Sequence, residues 1–326
     1  MGQMVTTDYL SIFKGRRVFI TGHTGFKGSW LAFLLKEVGA EVLGYALPPV
    51  GEKNHFELLG LAQMIGHVEA DIRDAEKLTA AMSEFQPEFV FHLAAQALVR
   101  PSYSDPKTTF ETNVMGSVNL LEAVRHCESV RSLVYITSDK CYENLEWLWG
   151  YRENDRLGGH DPYSASKASA EMVFSAYARS FFFERSDLGV ASTRAGNVIG
   201  GGDWATDRIV PDCVKAWSAD SLVELRNPHS TRPWQHVLEP LSGYLSLAIA
   251  LSQKSELHGE PFNFGPQAQQ NHSVLELVQQ MALHWDQVRW QNISESVAGP
   301  YESGLLKLNC DKSLHYLQWH AVMDFE

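Results

Sequence analysis

The sequence has few cysteines, and none of them lie close together. The four cysteines stand at positions 127, 141, 213 and 310 of 326 residues and form no C-x-x-C pair. Disulfide frameworks and thiol motifs depend on closely spaced cysteines. We therefore interpret the four as buried or incidental thiols of a protein in a reducing compartment, and we predict no metal site.

Long apolar runs and an excess of basic residues are also missing. The longest apolar stretch, residues 241–251, is too short to span a bilayer and contains serines and a glycine. The formal net charge is −12 and the isoelectric point is about 5.5, which argues against nucleic acid or an anionic membrane as partner. The first ten residues show neither a basic start nor an apolar core. We therefore expect no secretory signal and a cytoplasmic protein.

Residues 21–28, TGHTGFKG, place three glycines between a predicted strand at 17–20 and a predicted helix from Ser29. Gly22 would allow a tight turn, and Gly25 would let the backbone approach a pyrophosphate. Gly28 would let the helix pack closely on the strand. A helix start also offers N–H groups and a positive dipole to phosphates. The context favours a dinucleotide-binding loop over a merely structural turn.

Strands alternate with helical patterns in the first 195 residues. The strands are predicted at 17–20, 41–45, 67–70, 89–93, 132–136 and 190–194. This alternation is typical of an α/β protein with a doubly wound parallel sheet, the Rossmann fold. The rhythm changes near Gly196. We predict a dinucleotide-binding domain over 1–195, to which 239–265 returns, and a smaller substrate-binding cap formed by 196–238 and 266–326.

Two further clusters carry candidate chemistry. Tyr163 and Lys167 are spaced to lie one turn apart on a predicted helix. A neighbouring ammonium lowers the pKa of a phenol, which makes tyrosine usable as a base. Ser138, Asp139 and Lys140 follow the fifth strand, where its carboxyl end meets the cofactor edge. By themselves, the first cluster also fits an exposed helix start and the second a solvated loop.

Together these motifs resemble the extended short-chain dehydrogenase/reductase superfamily. The resemblance depends on the loop at 21–28, Asp71-Ile72, Leu93-Ala94-Ala95, Asn113, Ser138, Tyr163 and Lys167. Longer strings at 93–103 (LAAQALVRPSY), 137–144 (TSDKCYEN) and 194–204 (RAGNVIGGGDW) are similar to the CDP-glucose 4,6-dehydratase family. The resemblance implies conversion of a nucleoside diphosphate glucose to its 4-keto-6-deoxy product, for deoxy sugars of bacterial surface polysaccharides.

The resemblance also implies roles for the two clusters. Tyr163, held as phenolate by Lys167, would take the proton of the sugar 4-hydroxyl, and Ser138 would hydrogen-bond the same oxygen. Asp139 would give a proton to the departing 6-hydroxyl, which requires a raised pKa. Burial would raise this pKa and the neighbouring Lys140 would oppose it. Lys140 would act either as the base at C5 or as a cation that stabilises the enolate.

NAD is the cofactor that the resemblance implies. Its expected contacts are Gly22, His23, Thr24, Gly25, Phe26, Lys27, Gly28, Asp71, Ile72, Leu93, Ala94, Ala95, Asn113, Tyr163 and Lys167. His23 and Lys27 would either contact phosphates or ribose or face solvent, and Asn113 would chiefly stabilise active-site water and helix geometry. The acid that usually follows the second strand of NAD-binding folds is missing, because Tyr45-Ala46-Leu47 stands there. The residues alone therefore leave NAD and NADP open.

A nucleotide sugar, with CDP-glucose favoured, is the expected substrate. Its candidate ligands by family position are Arg100, Asn197, Arg208 and Arg232. A guanidinium suits a diphosphate because its planar fork is always charged, although each arginine also fits an ordinary surface ion pair. The resemblance further implies a homodimer or homotetramer, built on the long helices that begin near Pro106 and Tyr163.

Two other functions fit parts of the pattern. A nucleotide-sugar 4-epimerase would share the glycine loop, Ser138, Tyr163 and Lys167, but the acid and second ionisable group at 139–140 favour elimination. A non-catalytic dinucleotide sensor or scaffold would not need Tyr163 and Lys167, which are both present.

Overall fold

The computed structural model describes residues 9–51, 53–253, 255–293 and 304–326, and only the backbone of Ser255. Residues 1–8, which hold most of the segment inspected for a secretory signal, lie outside this set, as do residues 294–303 of the predicted cap. Within the described ranges, no helix is long and apolar enough to cross a membrane.

Seven parallel strands form the central sheet, as the alternating pattern predicts. The strands of the protein are β1 (Arg17–Thr21), β2 (Glu41–Ala46), β3 (Gly66–Glu69), β4 (Phe89–His92), β5 (Ser132–Ile136), β6 (Gly189–Ala195), β7 (Val198–Ile199), β8 (Val223–Leu225), β9 (Thr231–Arg232), β10 (Gln235–His236), β11 (Pro261–Phe264), β12 (His272–Ser273) and β13 (Trp290–Asn292). The order in the large sheet is β11-β6-β5-β4-β1-β2-β3. The order reverses at β1, and such a switch point is where open α/β sheets bind ligands.

Helices flank this sheet, and others lie in the segments predicted to form the cap. They are α1 (Phe26–Glu37), α2 (His55–Leu58), α3 (Leu61–Met64), α4 (Ala75–Phe85), α5 (Val99–Ser104), α6 (Pro106–Phe110), α7 (Gly116–Arg125), α8 (Pro162–Tyr177), α9 (Ile209–Ser218), α10 (Leu238–Leu251), α11 (Val274–Ala282) and α12 (Asp311–Leu317). A π-helical turn, Glu111–Met115, joins α6 to α7, so the long helix predicted to begin near Pro106 is continuous but locally widened. Asp161 caps α8 by accepting the N–H of Ser164 at 2.9 Å.

The core has one layer on each face of the sheet. In β1, Val18 and Ile20 join a cluster with residues of α1 and α10, whereas Phe19 joins a cluster with α4, α7 and α8. Successive strand residues point to opposite faces, so a strand covered on both sides must be apolar throughout. This is why the sheet strands could be recognised as near-continuous apolar runs.

A separate small core lies in the cap. Trp217 of α9 packs with Val223 and Leu225 of β8 and Val278 of α11. β11 pairs with β6 in the large sheet, and Trp319 belongs to the α1–α10 layer of the main core. The division into a domain at 1–195 with 239–265 and a cap at 196–238 and 266–326 stays a prediction. The cysteines are free thiols, as expected, and all but Cys310 are buried.

Candidate active site

The glycine loop has the strand–turn–helix geometry that the sequence predicts. Gly22 has a φ of +77°, and a Cβ on it would lie 2.7 Å from the backbone nitrogen of Ala94. A Cβ on Gly28 would lie 2.1 Å from the carbonyl oxygen of Gly22. α1 begins at Phe26, directly after Gly25, so its first N–H groups face the same edge. Only glycine fits at 22 and 28, and the turn forms a cradle for a phosphate.

A cavity of about 640 Å³ opens at this edge of the sheet. It extends from the glycine loop past the ends of β4 and β5 into the cap. The predicted residues that line it are Gly22, Thr24, Gly25, Phe26, Lys27, Gly28, Asp71, Ile72, Leu93, Ala94, Ala95, Arg100, Ser138, Asp139, Lys140, Tyr163, Lys167, Asn197, Arg208 and Arg232. The structure thus brings together residues that the sequence spreads over more than half of the chain.

The structure does not bring His23 to the cavity. Its ring is fully buried, donates or accepts one hydrogen bond with His67 at 2.7 Å, and packs against Phe56. It occupies the space that a side chain on Gly44 would need. Burial, reinforced by His67, lowers the pKa of His23 to about 3. Neither alternative for this side chain, phosphate contact or solvent exposure, describes where it lies.

Asn113 also lies outside the cavity, where its side chain connects two segments that line it. Its side chain donates to Ser166 Oγ at 2.8 Å and to the carbonyl of Gln96 at 3.0 Å, and accepts the Gln96 N–H at 2.8 Å. It therefore fastens the loop after β4 to α8, which agrees with the expected part in helix geometry.

Ser138, Asp139 and Lys140 form a tight turn after β5. Ser138 Oγ donates to Asp139 Oδ1 at 2.9 Å and accepts the N–H of Lys140 at 3.2 Å. Burial raises the pKa of Asp139, although Lys140, Ser138, Lys27 and Arg232 all act in the other direction. The carboxyl therefore meets the condition that a proton donor requires.

Tyr163 departs from its predicted behaviour. Burial raises the pKa of its phenol to about 12, while a hydrogen bond with Ser138 and the charge of Arg208 lower it only in part. Burial also lowers the pKa of Lys167 to about 8. The expected depression of the phenol by Lys167 is thus absent, because desolvation outweighs the favourable charges in this site.

A buried ion pair supports α8 from behind. Glu171, one turn after Lys167, accepts from Arg194 Nη2 and from Ser192 Oγ at 2.8 Å each, and also from Thr137 Oγ1. Both charged side chains are only 3% exposed. Burial alone would raise the pKa of Glu171, but Arg194 and these hydrogen bonds hold it below its usual value. The sequence reasoning missed this pair, for which the i, i+4 spacing from Lys167 was the available signal.

Cations gather in the cavity although the chain as a whole is acidic. Lys27 reaches it from the first turn of α1. Burial and then Arg208 lower the pKa of this lysine to about 8, against the charges of Asp139 and Asp203. The local basic cluster is what an anionic substrate requires of an acidic protein.

Two aspartates that the sequence reasoning missed hold the arginines of the cavity. Arg208 Nη1 lies 2.7 Å from Asp203 Oδ2. Asp207 Oδ1 lies 3.2 Å from Arg100 Nη1 and 2.8 Å from Arg226 Nη1. Asp207 has a φ of +62°, unusual for a residue with a side chain. All five side chains belong to residues that line the cavity.

No acid lies at the end of β2, as the sequence shows. Leu47 lines the cavity there, and its carbonyl accepts from Thr24 Oγ1 at 2.9 Å. The candidate acid Asp71 lines the cavity beyond β3, and its carboxylate is bound by Arg73 at 2.6 Å. Arg73 holds the pKa of Asp71 below its usual value.

The parallel sheet carries a glycine loop after β1, a serine shortly after β5, and a tyrosine and a lysine one turn apart on α8. This combination is typical of an extended short-chain dehydrogenase/reductase. The family model described as GDP-mannose 4,6 dehydratase matches residues 19–326. The chain therefore belongs to that family.

The relatives include sugar-nucleotide enzymes of more than one activity. The chain is 50% identical over 315 residues to the CDP-glucose 4,6-dehydratase of Salmonella typhimurium, covering 95% of this chain and 87% of that protein. It is 29% identical to the CDP-paratose 2-epimerase of Salmonella typhi, over 80% of this chain and 82% of the other. The dTDP-glucose 4,6-dehydratase of Bacillus anthracis, solved in complex with NAD, superposes with a TM-score of 0.77 at 23% identity, covering 96% and 93% of the two chains. This last likeness shows the shared fold.

Proposed function

We propose that this protein converts CDP-glucose to CDP-4-keto-6-deoxyglucose with NAD, in deoxy-sugar biosynthesis for surface polysaccharides. The observation that carries the proposal is the meeting of Ser138, Asp139, Lys140 and Tyr163 in one cavity with the glycine cradle. The 50% identity to a CDP-glucose 4,6-dehydratase over 95% of the chain supports the choice of substrate. A cytoplasmic location agrees with the free thiols.

The cradle fits a dinucleotide. Gly22 and Gly28 leave no room for a Cβ, and the start of α1 offers its N–H groups to a pyrophosphate. Asp71 and Ile72, which would flank the adenine, line the cavity. Bound NAD would supply a hydride acceptor for C4 of the sugar and return the hydride at C6. The relatives solved with NAD support this cofactor over NADP.

Tyr163 and Ser138 would hold the reacting 4-hydroxyl. The hydroxyl of Ser138 lowers the pKa of the Tyr163 phenol, so the two groups lie close enough for one oxygen to contact both. With its pKa near 12 the phenol is protonated at neutral pH. The charges of Arg208 and of a bound nicotinamide ring would favour the phenolate when the proton of the substrate is taken.

Asp139 would protonate the departing 6-hydroxyl. Its carboxyl is buried, which raises its pKa in the direction that a proton donor needs, and its Oδ2 has no hydrogen-bond partner among the described residues. Lys140 stands next to it and lines the cavity. Two roles fit Lys140, base at C5 or cation that stabilises the enolate. A Lys140→Arg variant keeps the positive charge but lacks a usable base, so solvent exchange at C5 should persist in it for the cation role and be lost for the base role.

A substrate deuterated at C4 tests the proposal. The expected result is a 4-keto-6-deoxy product that carries the label at C6, because the hydride leaves C4 and returns to the same molecule. Label that remains on C4 of a turned-over product would indicate an epimerase and contradict the proposal. Cofactor binding without turnover of CDP-, UDP- or dTDP-glucose would indicate a non-catalytic dinucleotide sensor or scaffold and would also contradict the proposal.

We also propose a homodimer or homotetramer built on α6–α7 and α8. A second π-helical turn, Ala178–Phe182, follows α8. These helices, their π-helical turns and the residue after the second turn expose apolar side chains, namely Phe110, Met115, Met172, Phe181 and Phe183. The helices pack side by side, so the exposed groups lie on adjoining elements. Exposed apolar patches of this kind mark association surfaces.

A further inference from the structure

The end of the cavity near β8 is a slot that combines apolar side chains with Arg226 and with the polar side chains of Asp207, Asp212, Glu224 and Asn227. Its wall is formed by β8 and the starts of α9 and α11, where Val210, Pro211, Val223, Leu225 and Val274 line the cavity. Arg226 follows β8 directly and lines the same end. Apolar walls with a few convergent polar groups are the usual surroundings of a flat ligand ring.

The charges show the order of the groups along the cavity. The charge of Arg232 lowers the pKa of the Asp139 carboxyl, and the charge of Arg208 lowers the pKa of the Tyr163 phenol. These two arginines therefore adjoin the sugar position and suit the diphosphate. Arg226 contacts Asp207 and acts on Asp212, both outside the catalytic cluster. Since a nucleotide sugar has its diphosphate between sugar and nucleoside, Arg226 lies at the nucleoside end.

Asp207 fixes the guanidinium of Arg226. Its Oδ1 contacts Arg226 Nη1 at 2.8 Å and Arg100 Nη1 at 3.2 Å, so α5 on the sheet side and β8 in the cap share one carboxylate. Asp207 reaches both arginines from a left-handed backbone conformation, with a φ of +62°, which is energetically unfavourable for a residue with a side chain. A planar fork held in this way can present its donors in one direction.

We propose that Arg226 selects cytosine by donating hydrogen bonds to O2 and N3 of the base. This inference depends on the proposed function and specifies which nucleoside its site takes. Cytosine offers an acceptor at both atoms, whereas uracil and thymine carry a hydrogen on N3. A guanidinium has donors only, so N3–H of the wrong base would face N–H of Arg226. Sites that leave polar groups unpaired reject such analogues strongly.

Nucleotide binding measured by calorimetry tests this inference without turnover. CDP, UDP and dTDP would be titrated into the wild type, Arg226→Met, Arg226→Lys and the control Arg156→Met. Arg156 is an exposed arginine that also has one carboxylate partner, Glu143 at 3.1 Å, and does not line the cavity. Melting temperatures close to that of the wild type would show that the variants fold.

The wild type and Arg156→Met should prefer CDP. Arg226→Met should bind CDP about 10- to 100-fold more weakly with little change for UDP and dTDP, because hydrogen bonds of a charged donor are lost. Arg226→Lys should also lose most of the preference, since an ammonium lacks the fork. Equal losses for all three nucleotides, full selectivity in the lysine variant, or no preference in the wild type would overturn the inference.

The two proposals fail separately. A wild type that prefers CDP through Arg226 but does not turn over CDP-glucose would contradict the proposed reaction and leave the assignment of Arg226 intact. Turnover of CDP-glucose by the wild type, together with unchanged nucleotide selectivity in Arg226→Met, would contradict the assignment of Arg226 and leave the proposed reaction intact.

Discussion

Single buried side chains set the protonation chemistry of this protein. Asp139 and Tyr163 both have a pKa raised chiefly by burial, and Lys27 and Lys167 have one lowered chiefly by burial. Desolvation always disfavours the charged form, so acids and bases move in opposite directions. The same effect acts on buried histidines.

Acid should destabilise the protein through His92. This residue is buried, contacts Thr21 Oγ1 at 2.7 Å, and has a pKa lowered to about 3, chiefly by burial. In the unfolded chain the pKa of a histidine is about 6.5, so below this pH the unfolded chain binds a proton at His92 that the native state does not bind. Stability should therefore fall between pH 6.5 and about 3, by about 1.4 kcal/mol per pH unit for this residue.

Urea unfolding at pH 7.5, 6.5 and 5.5 checks this expectation. A His92→Gln variant should show a flatter dependence of the free energy of unfolding on pH, whereas His126→Gln, at an exposed histidine, should follow the wild type. The same slope in His92→Gln and in the wild type would contradict the assignment.

The strand–turn–helix of β1 and α1 depends on one close approach. A Cβ on Gly28 would meet backbone at 2.1 Å, and backbone cannot give way as a flexible side chain can. A Gly28→Ala variant should therefore lose cofactor binding and stability, by about 1 to 3 kcal/mol or more. Gly201, beside the same cavity, has an ordinary φ, and a Cβ added to it would have nothing within 4 Å.

NADH fluorescence titration and thermal unfolding compare the two variants. Gly201→Ala should bind the cofactor and melt like the wild type. Normal cofactor affinity in Gly28→Ala would mean that the loop can relax without loss of its cradle.

The elements and most cavity residues could be predicted, because strand periodicity and the glycine loop are local signals. Residues such as Ser138 and Tyr163 follow strands of a parallel sheet, and topology then fixes the edge where they meet. The Glu171–Arg194 pair and the burial of His23 depend on neighbours far away in the chain. The raised pKa of Tyr163 could not be predicted, since it reflects how much burial outweighs charge.

At the scale of the whole molecule, α6–α7 and α8 are adjoining helices that both carry exposed apolar side chains. Met115 is 52% exposed and Met172 is 58% exposed. A Met115→Glu/Met172→Glu double variant should sediment as a lighter species, because charges in an apolar interface are costly to bury. Leu283→Glu, at an exposed leucine beyond α11, provides the control.

Analytical ultracentrifugation measures the outcome. An unchanged mass in the double variant would place the association surface elsewhere, and a monomeric wild type would contradict the oligomer altogether.

The glycine cradle and the slot at Arg226 belong to one continuous cavity rather than two. A nucleotide sugar bound across Arg208 and Arg232 would lie over the dinucleotide. We therefore expect a bound nucleotide sugar to restrict the exit of the dinucleotide, which the proposed reaction leaves unchanged at the end of each turnover. Retention of the dinucleotide would then depend on the occupancy of the chamber as well as on its own affinity.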